Sequence, residues 1–113
     1  MCMNINKQDI IRINMGFKGN LRSDSSLDFA LDIQNNKKFG EYRKLAHIIR
    51  AILVDHPFTD GNKRTALYIC LAFTIEHNKI ADNNLLVHHI LSISKKNIVE
   101  INYLIWRLKN AIK

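Results

Sequence analysis

Two apolar segments with a polar loop between them constrain the fold of this chain more than any other feature. The first segment covers residues 45–54 and the second covers residues 66–75. The loop between them contains Gly61 and Pro57, and Pro57 is the only proline in the chain. Proline interrupts a helix, and glycine accepts backbone angles that other residues avoid. The sequence therefore predicts a helix, a loop and a second helix, with polar groups collected in the loop.

Apolar residues recur at helical spacing through most of the remaining chain. This spacing predicts further helices, the first within residues 4–15. The polar residues expected to cap their N-termini are Asn6, Ser25 or Ser26, Asp82 or Asn83, and Asn97. No alternating apolar pattern exceeds a few residues, so the predicted fold class is all-α. Residues 66–75 are apolar nearly all round, which predicts a place at the centre of a helical bundle.

Length and composition predict one domain over residues 1–113, with a modest core. The apolar runs are too short to cross a bilayer, and the N-terminus shows no signal-peptide apolar region. The two cysteines, Cys2 and Cys70, do not indicate a disulfide framework, and Cys70 is expected to be a core thiol. A reducing cytoplasm is therefore the expected location.

The formal net charge of +7 favours acidic partners, which include nucleic acid, anionic lipid, nucleotide and acidic protein surfaces. The basic residues are spread along the chain and do not form a tail or a run interleaved with aromatic residues. Nucleic-acid binding is therefore not specifically indicated, and no membrane partner is expected.

The start of the predicted helix that follows the loop has the features of an anion site. The first amides of a helix have no carbonyl partner within it and carry a partial positive charge. Lys63 and Arg64 add two cations at this point, and Asn62 adds an amide. Gly61 allows a ligand to approach the backbone closely. A phosphate group is the ligand that these residues predict.

His56 and Asp60 bring acid–base and metal-binding groups to the same loop. An unperturbed imidazole titrates near neutrality, so His56 can act as a general base. Asp60 offers an oxygen ligand of the kind that Mg²⁺ prefers. Taken singly, His-Pro and Asp-Gly-Asn are ordinary turn sequences, and Lys-Arg is an ordinary solvated pair. Their combination within nine residues, between two apolar segments, favours a functional site.

The loop resembles the signature of the Fic/Doc (Fido) family, written His-x-Phe-x-Asp/Glu-Gly/Ala-Asn-Gly/Lys-Arg. The matching residues are His56, Phe58, Asp60, Gly61, Asn62, Lys63 and Arg64. Residues 19–24 and 27–31 resemble the flap and the following helix of the death-on-curing (Doc) branch. The resemblance implies a Fido-type helical bundle, with a small β-hairpin flap that aligns the target segment. With this resemblance, the whole stretch 16–24 looks like the flap, and it contains Lys18, Gly19 and Arg22.

The resemblance also implies a reaction and a set of roles. His56, Asp60 and Arg64 would be catalytic, and Asp60 would hold Mg²⁺. Gly61, Asn62, Lys63 and Arg64 would bind ATP or another nucleoside triphosphate. The commoner Fic pattern has glycine in place of Lys63 and a second arginine in place of Leu67. Lysine at position 63 is the Doc-like variant, and this resemblance implies a toxin-type protein kinase. Such an enzyme would transfer a phosphoryl group from the nucleotide to a Ser/Thr hydroxyl of a protein. A component of the translation machinery is the target that the family suggests.

Three further expectations concern how the enzyme is inhibited and which alternative functions it could have. Many Fic proteins carry an inhibitory helix with the pattern Ser/Thr-x-x-x-Glu-Gly/Asn, and this pattern does not occur here, so a separate antitoxin protein is expected. One alternative function is a Fic-type AMP transferase that adenylylates proteins. The other is a non-catalytic basic helical module that binds nucleic acid or a partner protein.

Overall fold

A computed structural model describes residues 5–113, and these residues form six α-helices. The helices are α1 (Lys7–Gly16), α2 (Ser25–Gln34), α3 (Glu41–Asp55), α4 (Asn62–Glu76), α5 (Asn83–Lys96) and α6 (Ile101–Ala111). Strand pairing in this part of the chain is limited to two isolated antiparallel bridges, Leu21 with Phe58 and Ala81 with Ile112. The predicted all-α class is confirmed. Cys2 and Asn4, the first residue of the segment predicted to contain a helix, lie outside the described residues.

Helix α3 is the centre of the bundle. It packs against α2, α4, α5 and α6, and its residues are buried without a break from Lys44 to Ile49. The prediction that residues 66–75 occupy the centre is wrong in part, because Tyr68 is 51% exposed and Ile75 is 79% exposed. Helix α4 packs against α1, α3 and α5 and leaves one apolar side uncovered. Its composition indicated burial, but only the packing decides which side is covered.

Cys70 lies on the covered side of α4 and is fully buried. Burial raises the pKa of its thiol to about 12, because a thiolate would lose its hydration there. The thiol is therefore protonated at neutral pH, and the prediction of a core cysteine is confirmed.

Two of the predicted helix caps are confirmed. Asn6 accepts a hydrogen bond from the Asp9 amide at 2.8 Å, and the Asp9 carboxylate accepts one from the Asn6 amide at 3.2 Å. This reciprocal pair is a capping box. Asp82 caps α5 by accepting a hydrogen bond from the Leu85 amide at 3.1 Å.

The other two cap predictions are wrong. Helix α2 begins at Ser25 itself, after Asp24, whose side chain makes no capping hydrogen bond. Asn97 ends α5 in the left-handed conformation, with φ of 50°, which asparagine adopts more readily than most residues. Helix α6 is capped instead by Glu100, whose carboxylate accepts hydrogen bonds from the backbone amides of Asn102 and Tyr103. Asparagine serves either end of a helix, so its identity alone could not distinguish a start from a stop.

None of the helices in residues 5–113 combines the length and the apolar character that crossing a membrane requires.

Candidate active site

A cavity of about 330 Å³ lies where the loop between α3 and α4 meets the end of α1. All six residues for which a catalytic or ligand-binding role was predicted, in this loop and the first turn of α4, line it. The complete lining is Phe17, His56, Thr59, Asp60, Gly61, Asn62, Lys63 and Arg64. The loop and the first turn of α4 together provide all of these lining residues except Phe17.

The N-terminus of α4 opens at this cavity. The helix begins at Asn62 after Gly61, no side chain caps it, and its first turn contains no acidic residue. The first amides of a helix have no carbonyl partner within the helix. Lys63 and Arg64 are both exposed in this first turn. The arrangement attracts anions through the helix dipole and two cations together.

Gly61 is required by both its backbone and its surroundings. Its φ is +74°, in the left-handed region that residues with a Cβ seldom adopt. A Cβ built on Gly61 would lie 3.0 Å from Cβ of Phe17 and 3.2 Å from Nδ2 of Asn14. Glycine at this position therefore allows the loop to turn against the end of α1.

Asn62 braces the loop through its side chain. Its Oδ1 accepts a hydrogen bond from the Phe58 amide at 3.2 Å, and its Nδ2 donates one to the Phe58 carbonyl at 3.0 Å. Phe58 itself is buried in the core and anchors the loop there. Sequence reasoning assigned Asn62 only to the phosphate and missed this contact, which holds the loop against the start of α4.

His56 ends α3 in the left-handed conformation, with φ of 49°. The guanidinium of Arg22 donates a hydrogen bond to the His56 carbonyl at 2.7 Å. The backbone amides of Arg22 and Ser23 both donate to the Pro57 carbonyl, at 2.7 and 3.1 Å. The segment that resembles a flap is thus tied to the loop next to the imidazole.

This flap segment does not form a hairpin of its own within the described residues. Its strand pairing is the single bridge between Leu21 and Phe58, supported by a hydrogen bond from the Thr59 amide to the Asn20 carbonyl at 2.9 Å. Lys18 is exposed with φ of 67° and does not line the cavity. The resemblance implied a hairpin, but the strand pairing of this segment is with the loop instead.

Asn14, on α1, is the residue beneath the site that sequence reasoning missed. It is completely buried, and its Nδ2 donates hydrogen bonds to the Asp60 carbonyl at 2.8 Å and to Thr65 Oγ1 at 3.1 Å. Its Oδ1 is buried without a hydrogen-bond partner among residues 5–113. Asn14 lies one turn after the buried Ile10, so a polar residue on the apolar face of α1 was the available signal.

Gly19 of the flap segment packs directly on this asparagine. Its amide donates to the Asn14 carbonyl at 3.2 Å. A Cβ at position 19 would overlap both Asn14 Oδ1 and the Asp60 carbonyl oxygen. The close approach of the flap segment to the loop therefore depends on glycine at this position.

Comparison with known proteins agrees with the residues of the site. The family model described as Fic/DOC family matches residues 6–74. The chain belongs to the Fic/DOC family. The match runs from the cap of α1 into the last turns of α4, so it includes the flap segment and the whole cavity lining. Membership indicates Fido-type transferase activity, since the family generally transfers nucleotide-derived groups to proteins. No curated protein and no solved structure matches the chain.

Proposed function

We propose that this Fic/DOC protein belongs to the Doc branch and acts as a protein kinase. It transfers the γ-phosphoryl group of a nucleoside triphosphate, expected to be ATP, to a Ser/Thr hydroxyl of a protein. The observation that supports this function best is the pair Lys63–Arg64 at the uncapped start of α4, in the same cavity as His56 and Asp60.

The position of the cations distinguishes the kinase from the AMP transferase. In the commoner Fic pattern, glycine replaces Lys63 and a second arginine replaces Leu67. Here Leu67 is half-buried and packs against the core, so it offers no phosphate contact. The lysine side chain at position 63 takes space that glycine would leave to a phosphate. Both differences favour a nucleotide orientation opposite to that in an AMP transferase. In this orientation the γ-phosphoryl group faces the target.

His56 is the proposed general base. The target hydroxyl oxygen forms a bond to the γ-phosphorus, while the bond from that phosphorus to the bridging oxygen breaks. The nucleoside diphosphate leaves, and the imidazole receives the hydroxyl proton. A positioned base contributes roughly 10²–10⁴-fold to such a rate. The α4 amides, Lys63 and Arg64 stabilise the charge on the equatorial oxygens.

Asp60 is the proposed Mg²⁺ ligand. Its Oδ1 accepts a hydrogen bond from the Gly61 amide at 2.7 Å, and the residue lines the cavity at the anion site. One carboxylate suits Mg²⁺, which takes most of its ligands from water and phosphate oxygens. When bound, the ion offsets phosphate charge. Chelation of Mg²⁺ should weaken ATP binding to the wild type but not to Asp60→Asn, and equal weakening in both would exclude this role.

The flap segment and a separate protein complete the proposal. Lys18, Gly19 and Arg22 are proposed to align the target segment, whose source is proposed to be the translation machinery. A separate antitoxin protein is proposed to restrain the enzyme by covering the flap segment and the loop. Co-purification from the native host should recover such a protein, and substitutions in the flap segment should release it. Retention by every flap variant would place the contact elsewhere.

Labelled ATP tests the reaction itself. A lysate incubated with the protein, Mg²⁺ and ATP labelled on the γ-phosphate should yield a labelled protein, whereas ATP labelled on the α-phosphate should not. Mass spectrometry of the modified peptide should show an added phosphate. An added AMP group would overturn the kinase proposal in favour of adenylylation. The absence of any label, together with salt-sensitive binding to DNA, would favour a non-catalytic basic module.

A further inference from the structure

We propose that Phe17 and Tyr68 form a stacking site for the base of the bound nucleotide. The inference rests on the proposed function, because it requires a nucleotide whose phosphates occupy the start of α4. It goes beyond the motif, since neither residue belongs to the loop that carries the family signature.

The two aromatic rings contact each other beside the cavity, although Tyr68 is not itself one of its lining residues. Phe17 lies just after α1 and lines the cavity, and its ring centroid is 6.5 Å from that of Tyr68, at an interplanar angle of 67°. About half of Tyr68 is exposed, although the ring is large and largely apolar. The pair therefore places apolar aromatic surface beside the cavity, where a planar base can stack.

The distance from the anion site fits a nucleotide. Tyr68 follows Arg64 by four residues on α4, so the two side chains lie on the same face, about 6 Å apart along the helix axis. Helical side chains lean toward the N-terminus, which places the Tyr68 ring over the turn that contains Arg64. A nucleotide with its phosphates at the first turn of α4 reaches this ring with its base.

The rest of the cavity rim does not suit a base. Of the residues that line the cavity, Phe17 alone has a wholly apolar side chain. Phe29 is also exposed, but it borders a separate cavity together with Asp55, whose carboxylate would repel the phosphates. Tyr103 and Trp106 stack on each other on α6, which contributes no residue to the lining. The Phe17–Tyr68 pair is the aromatic surface that adjoins the anion site.

The chemistry of stacking defines the ligand class. Every base has a π-face, so stacking on a side chain tolerates different bases. We therefore expect different purine nucleotides to bind with similar affinity. The contacts to the phosphates should provide the rest of the binding free energy. Base–aromatic stacking of this kind changes affinity by roughly 5- to 150-fold per base when the aromatic residue is replaced by alanine.

Calorimetry with two probes separates the base from the phosphates. The probes are Mg²⁺–ATP and Mg²⁺–tripolyphosphate, which share three phosphates and differ in the nucleoside. Wild type should bind ATP more tightly than tripolyphosphate. Tyr68→Ala should lose roughly 5- to 150-fold of its ATP affinity and keep its tripolyphosphate affinity, while Tyr68→Phe should retain both. Tyr103→Ala makes the same side-chain change away from the cavity, and it should alter neither affinity.

The possible failures are distinguishable. Equal wild-type affinity for both probes would overturn the stacking site while leaving the anion site in place. An equal loss of both affinities in Tyr68→Ala would do the same, because the change would then act through the phosphates or the fold. If wild type binds neither probe, the proposed nucleotide-dependent function fails, and the stacking site fails with it.

Discussion

The buried side chain of Asn14 donates a hydrogen bond to the backbone carbonyl of Asp60 at 2.8 Å, across 46 positions of the chain. The same nitrogen donates to Thr65 Oγ1 at 3.1 Å, and Thr65 in turn donates to the Gly61 carbonyl at 2.7 Å. Helix α1 thereby holds both the carboxylate-bearing part of the loop and the first turn of α4. The anion site is consequently fixed in position before any ligand arrives.

Asn14→Leu should remove this support. The change leaves the Asp60 carbonyl and the buried Thr65 hydroxyl without this donor, so the free energy of unfolding should fall by about 1–3 kcal/mol. Phosphate affinity should fall as well, because the α4 amides lose their fixed position. Urea denaturation and calorimetry with Mg²⁺–tripolyphosphate measure the two effects.

Ile10→Val is the matched control for this variant. Ile10 is equally buried and lies one turn earlier on α1, so the substitution should lower stability by about 0.5–1.5 kcal/mol through lost packing. Its phosphate affinity should stay at the wild-type value. If both variants lost the same affinity, the Asn14 effect would be one of general stability rather than of positioning.

Gly61→Ala should impair both folding and anion binding. The left-handed φ of 74° and the 3.0 Å approach to Phe17 Cβ oppose a methyl group there, and the expected loss of stability is about 1–3 kcal/mol. Gly16→Ala provides the contrast, since a Cβ at this position in α1 meets no atom within 4 Å. That control should gain about 0.4–1 kcal/mol, because alanine restricts the unfolded chain. Thermal unfolding measures the stability of both variants. If Gly61→Ala were as stable as wild type, the requirement for glycine at position 61 would be wrong.

His56→Ala should separate chemistry from binding. Loss of the proposed base should slow transfer by roughly 10²–10⁴-fold, with helical content and ATP affinity retained. Because position 56 is left-handed, His56→Asn is a useful companion that tolerates this backbone. His88, exposed on α5, serves as the control for a histidine change elsewhere. Wild-type transfer rates in either position-56 variant would remove the general-base assignment.

Lys63→Gly should change the outcome of the reaction. Removal of the lysine reduces the charge at the start of α4 and opens space for a phosphate, so phosphoryl transfer should weaken and a small amount of AMP transfer should emerge. The half-buried Leu67 should keep that AMP transfer inefficient. Mass spectrometry of the target peptide measures both products. Lys96→Gly removes the same charge at the exposed end of α5 and should leave the product unchanged. An identical change of product in both variants would refute the inference that the position of Lys63 determines which group is transferred.

The sequence by itself determined α3, α4 and the loop between them. Pro57, Gly61 and the apolar segments on either side act over a few residues, so their effect on the backbone is visible without knowledge of the fold. The loop residues predicted to act on a ligand are neighbours in the chain, and a single turn brings them to one cavity. Local backbone preferences were sufficient to predict this part of the site.

Only the tertiary structure decided what supports the loop and what surrounds it. Asn14 and Gly19 reach the loop because α1 packs against α4, and Phe17 meets Tyr68 for the same reason. Packing also placed α3 at the centre and left one side of α4 exposed. These contacts join residues about fifty positions apart, and their free energy depends on the shapes of surfaces that local preferences do not define.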